Sequence, residues 1–393
     1  MSRDEIIAEA TALDPPVARF GGPALCVGVV SRNTVDALVK VADQSPRTVM
    51  LIASRRQVER GPVNGYVEGW STSRFARYVR ERDPHRLVAV CRDHGGPWQH
   101  PTDIEPRLSE TDALASAFLS FKDDIDAGFD LLHIDTSREA AREAPPERAL
   151  RRLIDLYGRC IRYLSGTNRR VEFEIGFEDQ RSSVHDPVEL DALLSAFMSD
   201  VDRTGLPRPK YVVAQTGTKV VETRNIGDLM DSSKRSWSES RLRALVAVCA
   251  RYGTLLKAHN CDYLGPEAWR VLSEAGVGGA NVAPEYGVVE TQALLKMLHA
   301  AGLENERKRF IHLAEQSRSW SKWMAADAVA SRRDRAIIAG HYVFSSPEVR
   351  GIRRVLGERL GVGPEGVDAR LREAIEDRLL KHLRRFATPG REL

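Results

Sequence analysis

Short apolar, β-branched runs recur along the chain at wide and fairly even intervals. The first four are Ala24 to Val30 (ALCVGVV), Thr48 to Ser54 (TVMLIAS), Leu87 to Asp93 (LVAVCRD) and Leu131 to Ser137 (LLHIDTS). The series continues with Val171 to Gly176 (VEFEIG), Lys210 to Gly217 (KYVVAQTG), Thr254 to Asn260 (TLLKAHN) and Gly279 to Pro284 (GANVAP). Such runs read as strands buried on both faces.

Between them the apolar period changes to that of a helix. Val35, Leu38, Val39 and Ala42 share one helical face after the first run, and Leu150, Leu153, Ile154 and Tyr157 after the fourth. After the fifth, Asp186-Pro187-Val188-Glu189 supplies an N-cap, a proline at the first helical position and a capping-box glutamate, ahead of Leu190, Leu193, Leu194 and Phe197. Leu242, Leu245, Val246 and Cys249 repeat the pattern before the seventh run. Strands alternating with helices predict a parallel sheet with right-handed crossovers, and eight such units close into a (β/α)8 TIM barrel. A doubly wound open sheet is the competing architecture, but no G-x-G-x-x-G follows the first strand. From about Leu303 the pattern is helical, Arg-rich and strandless, with Trp320 and Trp323 near its start. The expected organisation is a barrel over 1–302 and a C-terminal helical extension over 303–393, packed on the barrel or on a neighbouring subunit.

Composition narrows the function more than the fold. The 393 residues include 58 basic and 55 acidic ones, so the net charge of +3 carries no sustained basic field, and nucleic acid is not an expected partner. No apolar run reaches the roughly 18 residues that a membrane span needs, and Met1 to Pro15 lacks the pattern of a secretory signal. A soluble cytoplasmic protein is expected, without a membrane partner. Cys26, Cys91, Cys160, Cys249 and Cys261 are odd in number and scattered through apolar segments, so they read as reduced core thiols.

Catalytic groups of a TIM barrel gather at the C-terminal ends of its strands. Here those ends deliver Ser31, Ser54, Asp93-His94, Asp135, Glu174, Gln215, His259 and Asn281, one contribution from each strand. His94, Glu174 and His259 make a plausible divalent-metal set, commonly zinc, although a strand-end histidine can equally cap a loop. Asp93 is placed for proton transfer or for anchoring its loop. Asp135 can orient a histidine, bind a substrate hydroxyl or cap the next turn. Glu178 and Asp179 lie in a polar loop long enough to close over a site. His133, two residues before Asp135, faces the same side and either lines the barrel centre or, the favoured reading, is a hydrogen-bonded core histidine. Arg92, Lys219, Arg224 and Lys257 lie near strand ends where they could hold a phosphate, opposed by Glu285 and Glu290 after the eighth strand.

The segments CVGVVSRNTVDALV, DHGGPWQ (Asp93 to Gln99), HIDTS (His133 to Ser137) and KAHNCDY (Lys257 to Tyr263) resemble the class II tagatose-bisphosphate aldolase family, and its non-catalytic-subunit, tagatose-6-phosphate kinase-like branch most closely. In the catalytic members, a zinc ion held by histidines stabilises the enediolate formed when a ketose carbon–carbon bond breaks. The resemblance implies His94 and His259 as ligands, Glu174 as a further ligand, Asp93 as the acid/base group and Glu178 as the mobile proton-transfer residue. By their placement at or beside strand ends, Ser31, Ser54, Asp135, Gln215, Asn260 and Asn281 are expected around a sugar or sugar phosphate. Where catalytic members carry a third histidine after strand six, this chain has Gln215-Thr216-Gly217. Three functions follow: metal-dependent aldol cleavage or retro-aldol epimerisation, an accessory subunit for a catalytic class II aldolase, or a sugar-binding module. A homo-oligomer, or assembly with a second class II aldolase subunit, is expected.

Overall fold

The computed structural model describes residues 23–45, 48–177, 182–325 and 329–386. All eight predicted strands are present: β1 (Ala24–Gly28), β2 (Val49–Ser54), β3 (Val88–Gly95) and β4 (Leu131–Ile134), then β5 (Glu172–Gly176), β6 (Tyr211–Val213), β7 (Leu255–Ala258) and β8 (Gly279–Val282). They close into one parallel barrel in sequential order, with β8 paired to β1. The helices α1 (Arg32–Ala42), α2 (Thr72–Arg82), α3 (Glu110–Ala127), α4 (Pro146–Leu164), α5 (Pro187–Thr204), α6 (Arg235–Arg251), α7 (Pro266–Ala275) and α8 (Pro284–Ala300) complete the eight units. The predicted start of α5 holds, with the Asp186 carboxylate accepting from the Val188 N–H at 2.8 Å.

Side chains alternate across each strand, and that alternation divides the apolar residues into two sets. Leu25, Val27, Leu51, Val90 and Leu132 pack outward with the helices. Ala24, Cys26, Met50, Ile52, Ala89, Cys91, Leu131 and Tyr211 form a separate cluster inside the barrel. Two residues further along the same inward register come Ser54, Asp93, His133 and Asn281, so the site is the polar continuation of the interior stack. All five cysteines are buried and none of them forms a disulfide.

Two strands depart from the hydrophobic pattern at their C-terminal ends, β6 by stopping early and β3 by running on. β6 stops at Val213 because the Gln215 side-chain oxygen accepts from the Gly217 and Thr218 N–H groups and turns the chain out of the sheet. A two-residue antiparallel ribbon, Val220–Val221 with Arg224–Asn225, follows. β3 runs on irregularly: its register on β4 shifts between Arg92 and Gly95, and His94 takes a left-handed φ of 43°. That kink suspends the alternation, so Asp93 and His94 both reach the space above the barrel.

Four further helices follow: α9 (Glu304–Gln316), α10 (Arg332–Ala339), α11 (Pro347–Leu360) and α12 (Gly363–Arg385). α12 lies on α1 and α8, and its Ile375, Leu379 and Leu383 join the same apolar cluster as the barrel. A second cluster packs Leu294, Leu295 and Leu298 of α8 against Phe310, Ile337 and Leu356. Among the described residues, no helix is long and apolar enough to cross a membrane.

Between barrel and extension, Glu290 is buried, taking a 2.7 Å hydrogen bond from Asn33 and another contact from Ser31, near the Arg353–Asp368 ion pair. Burial pushes its carboxyl up to about 7, with the Ser31 and Asn33 hydrogen bonds and Arg353 opposing. An unfolded glutamate titrates near 4.3. Between those values the folded chain keeps a proton that the unfolded chain releases, so this group lowers stability as pH rises from roughly 4.5 to 7 and adds no slope above. Urea unfolding at pH 5 and pH 8 should show Glu290→Gln losing a smaller share of its stability over that interval than the wild type; equal losses would contradict the burial account.

Candidate metal centre

The inward register of β3, β4, β5 and the segment after β7 brings four side chains to one spot. Asp93, His133, Glu174 and His259 each offer a ligand atom, and these atoms all lie within 4.8 Å of one another. Glu174 Oε1 is 3.4 Å from His133 Nδ1 and 3.5 Å from His259 Nε2. Asp93 Oδ1 is 3.8 Å and 4.0 Å from the same two nitrogens. Ligands held about 2 Å from a common ion stand roughly 3–3.5 Å apart, so the set needs only a small contraction to close on a cation.

Glu174 shows most clearly why a cation fits. Its side chain is fully buried, and Oε2 accepts from the Lys257 ammonium at 2.6 Å. Oε1 faces the imidazoles and makes no well-formed hydrogen bond among the described residues, its nearest polar neighbours being His133 Nδ1 at 3.4 Å and His259 Nε2 at 3.5 Å. A buried carboxylate oxygen without a well-formed hydrogen bond costs several kcal/mol unless something positive meets it. Burial alone would raise the Glu174 carboxyl, but the Lys257 ammonium and the two imidazoles outweigh it and hold it down at about 2. Burial is likewise overcome at Asp93, where His94, His133 and His259 keep the carboxyl well below the usual range. Both acids are therefore anionic at neutral pH, the form that binds a divalent ion.

Lys257 is accounted for by the same pair. Burial disfavours its charge, yet the Glu174 and Asp93 carboxylates raise the ammonium above its ordinary value. A lysine kept protonated cannot act as the amine nucleophile of Schiff-base aldol chemistry. The chemistry of the pocket falls to the imidazoles and carboxylates.

His133 is the residue whose place the sequence reading underrated. It was expected in the core, and it is buried, but its ring faces the site and completes a triangle of imidazoles. The ring centroids lie 5.3 Å apart for His133–His259, 5.3 Å for His94–His133 and 4.9 Å for His94–His259. A Cβ at Gly176 would sit 2.6 Å from His133 Nε2, so the end of β5 must be glycine for this ring to fit. The His94 N–H donates to His133 Nδ1 at 3.2 Å. The third imidazole thus comes from β4, where the expected position after strand six holds Gln215.

The expected site residues separate into three groups. His94, expected as a ligand, stands beside the four-atom set with Nδ1 2.7 Å from Asp135 Oδ2, while Asp93, expected as the acid/base group, lies within the set. Asp135 also accepts from Gln99 Nε2 at 2.7 Å and from Ser137, so it fixes the His94 ring as a histidine-orienting carboxylate does. Asn281 donates to Asp93 Oδ1 at 3.2 Å, and Ser54 and Asn260 line the same cavity.

Two residues expected at the substrate are placed elsewhere. Ser31 caps α1 through the Thr34 N–H, and Gln215 is buried with its amide oxygen holding the turn after β6. Neither lines the cavity. The cations expected for phosphate are also used internally: Arg92 forks onto Asp124 at 2.6 and 2.8 Å, Lys257 meets Glu174, and Lys219 and Arg224 belong to the ribbon region outside the cavity wall. Glu178 lies outside the described residues.

The cavity above the cluster is about 600 Å³, ample for a sugar. Its wall includes Arg56 and Tyr66 from the loop after β2, and Lys322, Trp323, His341 and Tyr342 from the C-terminal extension. No periodicity in the sequence pointed to these.

No family model matches the chain, and no curated protein matches its sequence. Solved structures do resemble it. A probable tagatose 6 phosphate kinase from Sinorhizobium meliloti aligns over 92% of this chain and 99% of its own, with 19% identity and a TM-score of 0.69. The fructuronate-tagaturonate epimerase UxaE from Cohnella laeviribosi aligns over 93% and 81%, with 12% identity and a TM-score of 0.57. A fructose-bisphosphate aldolase from Campylobacter jejuni aligns over 97% and 92%, with 13% identity and a TM-score of 0.52. The chain shares their fold. At these identities the likeness extends to the barrel architecture and not to the chemistry.

Replacing Lys257 by methionine strands Glu174 as an unpaired buried charge, at a cost of about 3–5 kcal/mol. In chelator, the urea midpoint should fall accordingly, and adding Glu174→Gln should recover part of the loss. A midpoint unchanged in Lys257→Met would show that the pair does not hold the centre.

Proposed function

We propose that the chain is a metal-dependent carbohydrate enzyme that cleaves or joins a ketose, or a ketose phosphate, by aldol chemistry or epimerises it through a retro-aldol step. The buried Oε1 of Glu174, without a well-formed hydrogen bond and facing two imidazoles and Asp93, carries this reading. Asp93, His133, Glu174 and His259 would hold the ion, which zinc suits by its preference for nitrogen and oxygen ligands. A divalent ion bound there would polarise a substrate carbonyl and stabilise the charge that develops on its oxygen.

The protein's own residues supply positioning and proton transfer. Asp135 accepts from the Nδ1–H of His94, which makes the other ring nitrogen the basic one, and on a half-buried ring lining the cavity it would take a proton from a substrate hydroxyl and later return it. Asn281 fixes the Asp93 carboxylate, and Ser54 and Asn260 supply polar groups for sugar hydroxyls. Epimerisation adds only that the aldehyde fragment turns its other face before the carbon–carbon bond re-forms, so aldolase and epimerase outcomes would use the same His94 proton transfer. An accessory subunit without turnover has no physical use for two anionic carboxylates and three imidazoles converging beneath a sugar-sized cavity.

Purified protein should carry about one equivalent of zinc or another divalent ion by elemental analysis, and His133→Ala and His259→Ala should each weaken its retention at least 100-fold while leaving the fold intact by circular dichroism. Chelation should abolish ketose cleavage or inversion, and metal should restore it. A wild type that binds no divalent ion with useful affinity overturns the reading.

A further inference from the structure

The charges on the cavity wall differ in exposure. Asp135 and Asp262 are buried and Asp93 is half-buried, while Arg138 and Lys322 are exposed and Arg56 is half-buried. Unlike Arg92 or Arg55, which are consumed by internal ion pairs, Arg56, Arg138 and Lys322 form no ion pair with any described residue. Lys322 lies over the Trp323 and Tyr342 rings at 4.9 and 5.1 Å. Burial and the neighbouring Arg138 guanidinium both depress Arg56, with Tyr342 and Glu105 acting the other way. The remaining cation of the wall, Arg142, is occupied by Glu139 at 2.9 Å, and Glu143 is the acid on this side. Arg56 and Arg138 thus line the cavity on the same side without an ion-pair partner, an arrangement that an anion from outside would complete.

The opposite rim is closed to such an anion. TIM barrels often seat phosphate between the loops after strands seven and eight and a helix N-terminus. In this chain the Asp262 carboxylate already accepts from the Ala283 and Glu285 N–H groups at 2.9 and 2.8 Å, at the start of α8. Glu285 accepts in turn from the Tyr263 N–H at 2.6 Å. Burial and Glu285 push Asp262 up to about 8, and the Arg378 guanidinium beside this cup is already paired with Glu285. An added anion there meets the Glu285 carboxylate and finds its N–H donors taken.

We infer that Arg56, Arg138 and Lys322 form an anion subsite at the cavity mouth that grips the charged end, phosphoryl or carboxylate, of an open-chain sugar whose carbonyl end lies over Asp93, His133, Glu174 and His259. This rests on the carbohydrate reading of the cavity, and it moves the substrate charge from the rim after β7 and β8 to the loops after β2 and β4. Guanidinium pairs fork onto either anion, so the chemistry is common to sugar phosphates and sugar acids. Because Lys322 comes from the extension, the C-terminal helices take part in choosing the substrate.

Calorimetric titration of the metal-loaded full chain with D-fructose, D-fructose 6-phosphate and D-fructuronate tests this. The wild type should bind at least one acidic sugar 10-fold or more tighter than fructose, and the tighter of the two names the anion. The Arg56→Ala/Arg138→Ala double variant should lose roughly 10–100-fold for that sugar, as expected for a charge-assisted contact, and keep fructose affinity within about threefold. Arg138→Ala alone, at an exposed position without an ion pair, guards against misfolding of the double variant and should lose roughly 3–10-fold. Equal affinity of wild type for acidic and neutral sugars, or unchanged acidic-sugar binding in both variants, overturns the subsite. Metal content assayed on the same samples keeps the two readings apart: a metal-bearing protein indifferent to sugar charge refutes the subsite alone, and charge-selective binding lost in the variants upholds it even in a preparation that holds no metal.

Discussion

Burying the Glu174 carboxylate against Lys257 is the constraint from which the rest of the centre follows. One oxygen is neutralised by the ammonium at 2.6 Å, inside a barrel whose lower interior is filled by Cys26, Cys91, Met50 and Tyr211. The other oxygen is thereby aimed upward with a charge that nothing apolar can satisfy. Imidazoles from β4 and from the segment after β7, and Asp93 from β3, face that oxygen. The pair also removes Lys257 from chemistry, since its amine stays protonated. A single ion pair thus decides which groups at this centre are left to react.

The architecture was legible in the sequence because a strand buried on both faces and a helix buried on one leave different periods, and this chain repeats both eight times. The strand-end placement of Ser54, Asp93, His94, Asp135, Glu174, His259 and Asn281 was legible for the same reason: each continues the inward register or directly adjoins it. Depth was not. His133 shares the register of Asp135, but nothing in HIDTS says that Gly176 on the next strand leaves space for its ring to face the centre. The roles of Asp93 and His94 turn on a left-handed φ at His94, a backbone feature that the residue types do not reveal.

Ser31 and Gln215 show the limit of reading polar residues at strand ends as substrate groups. A hydroxyl or amide at such a position can equally satisfy the backbone, and here Ser31 caps α1 while Gln215 ties the turn after β6. Arg92 and Lys257 teach the same lesson for charge: near the site in sequence, they are spent on Asp124 and Glu174. The cations that do border the cavity come from a loop after β2, a loop after β4 and the extension, more than 250 residues apart from first to last, and no local pattern links them. Trp323 and Tyr342 enter the wall because α8 and the helices after it share one apolar cluster that carries the extension over the barrel mouth.

The account stands on the position of the cation. A crystal of the zinc-loaded protein, measured on both sides of the zinc absorption edge, should give one strong anomalous peak within bonding distance, about 2 Å, of Glu174 Oε1 and of nitrogens from His133 and His259. A peak elsewhere in the chain, or none while Oε1 is met by a protonated imidazole, would contradict it.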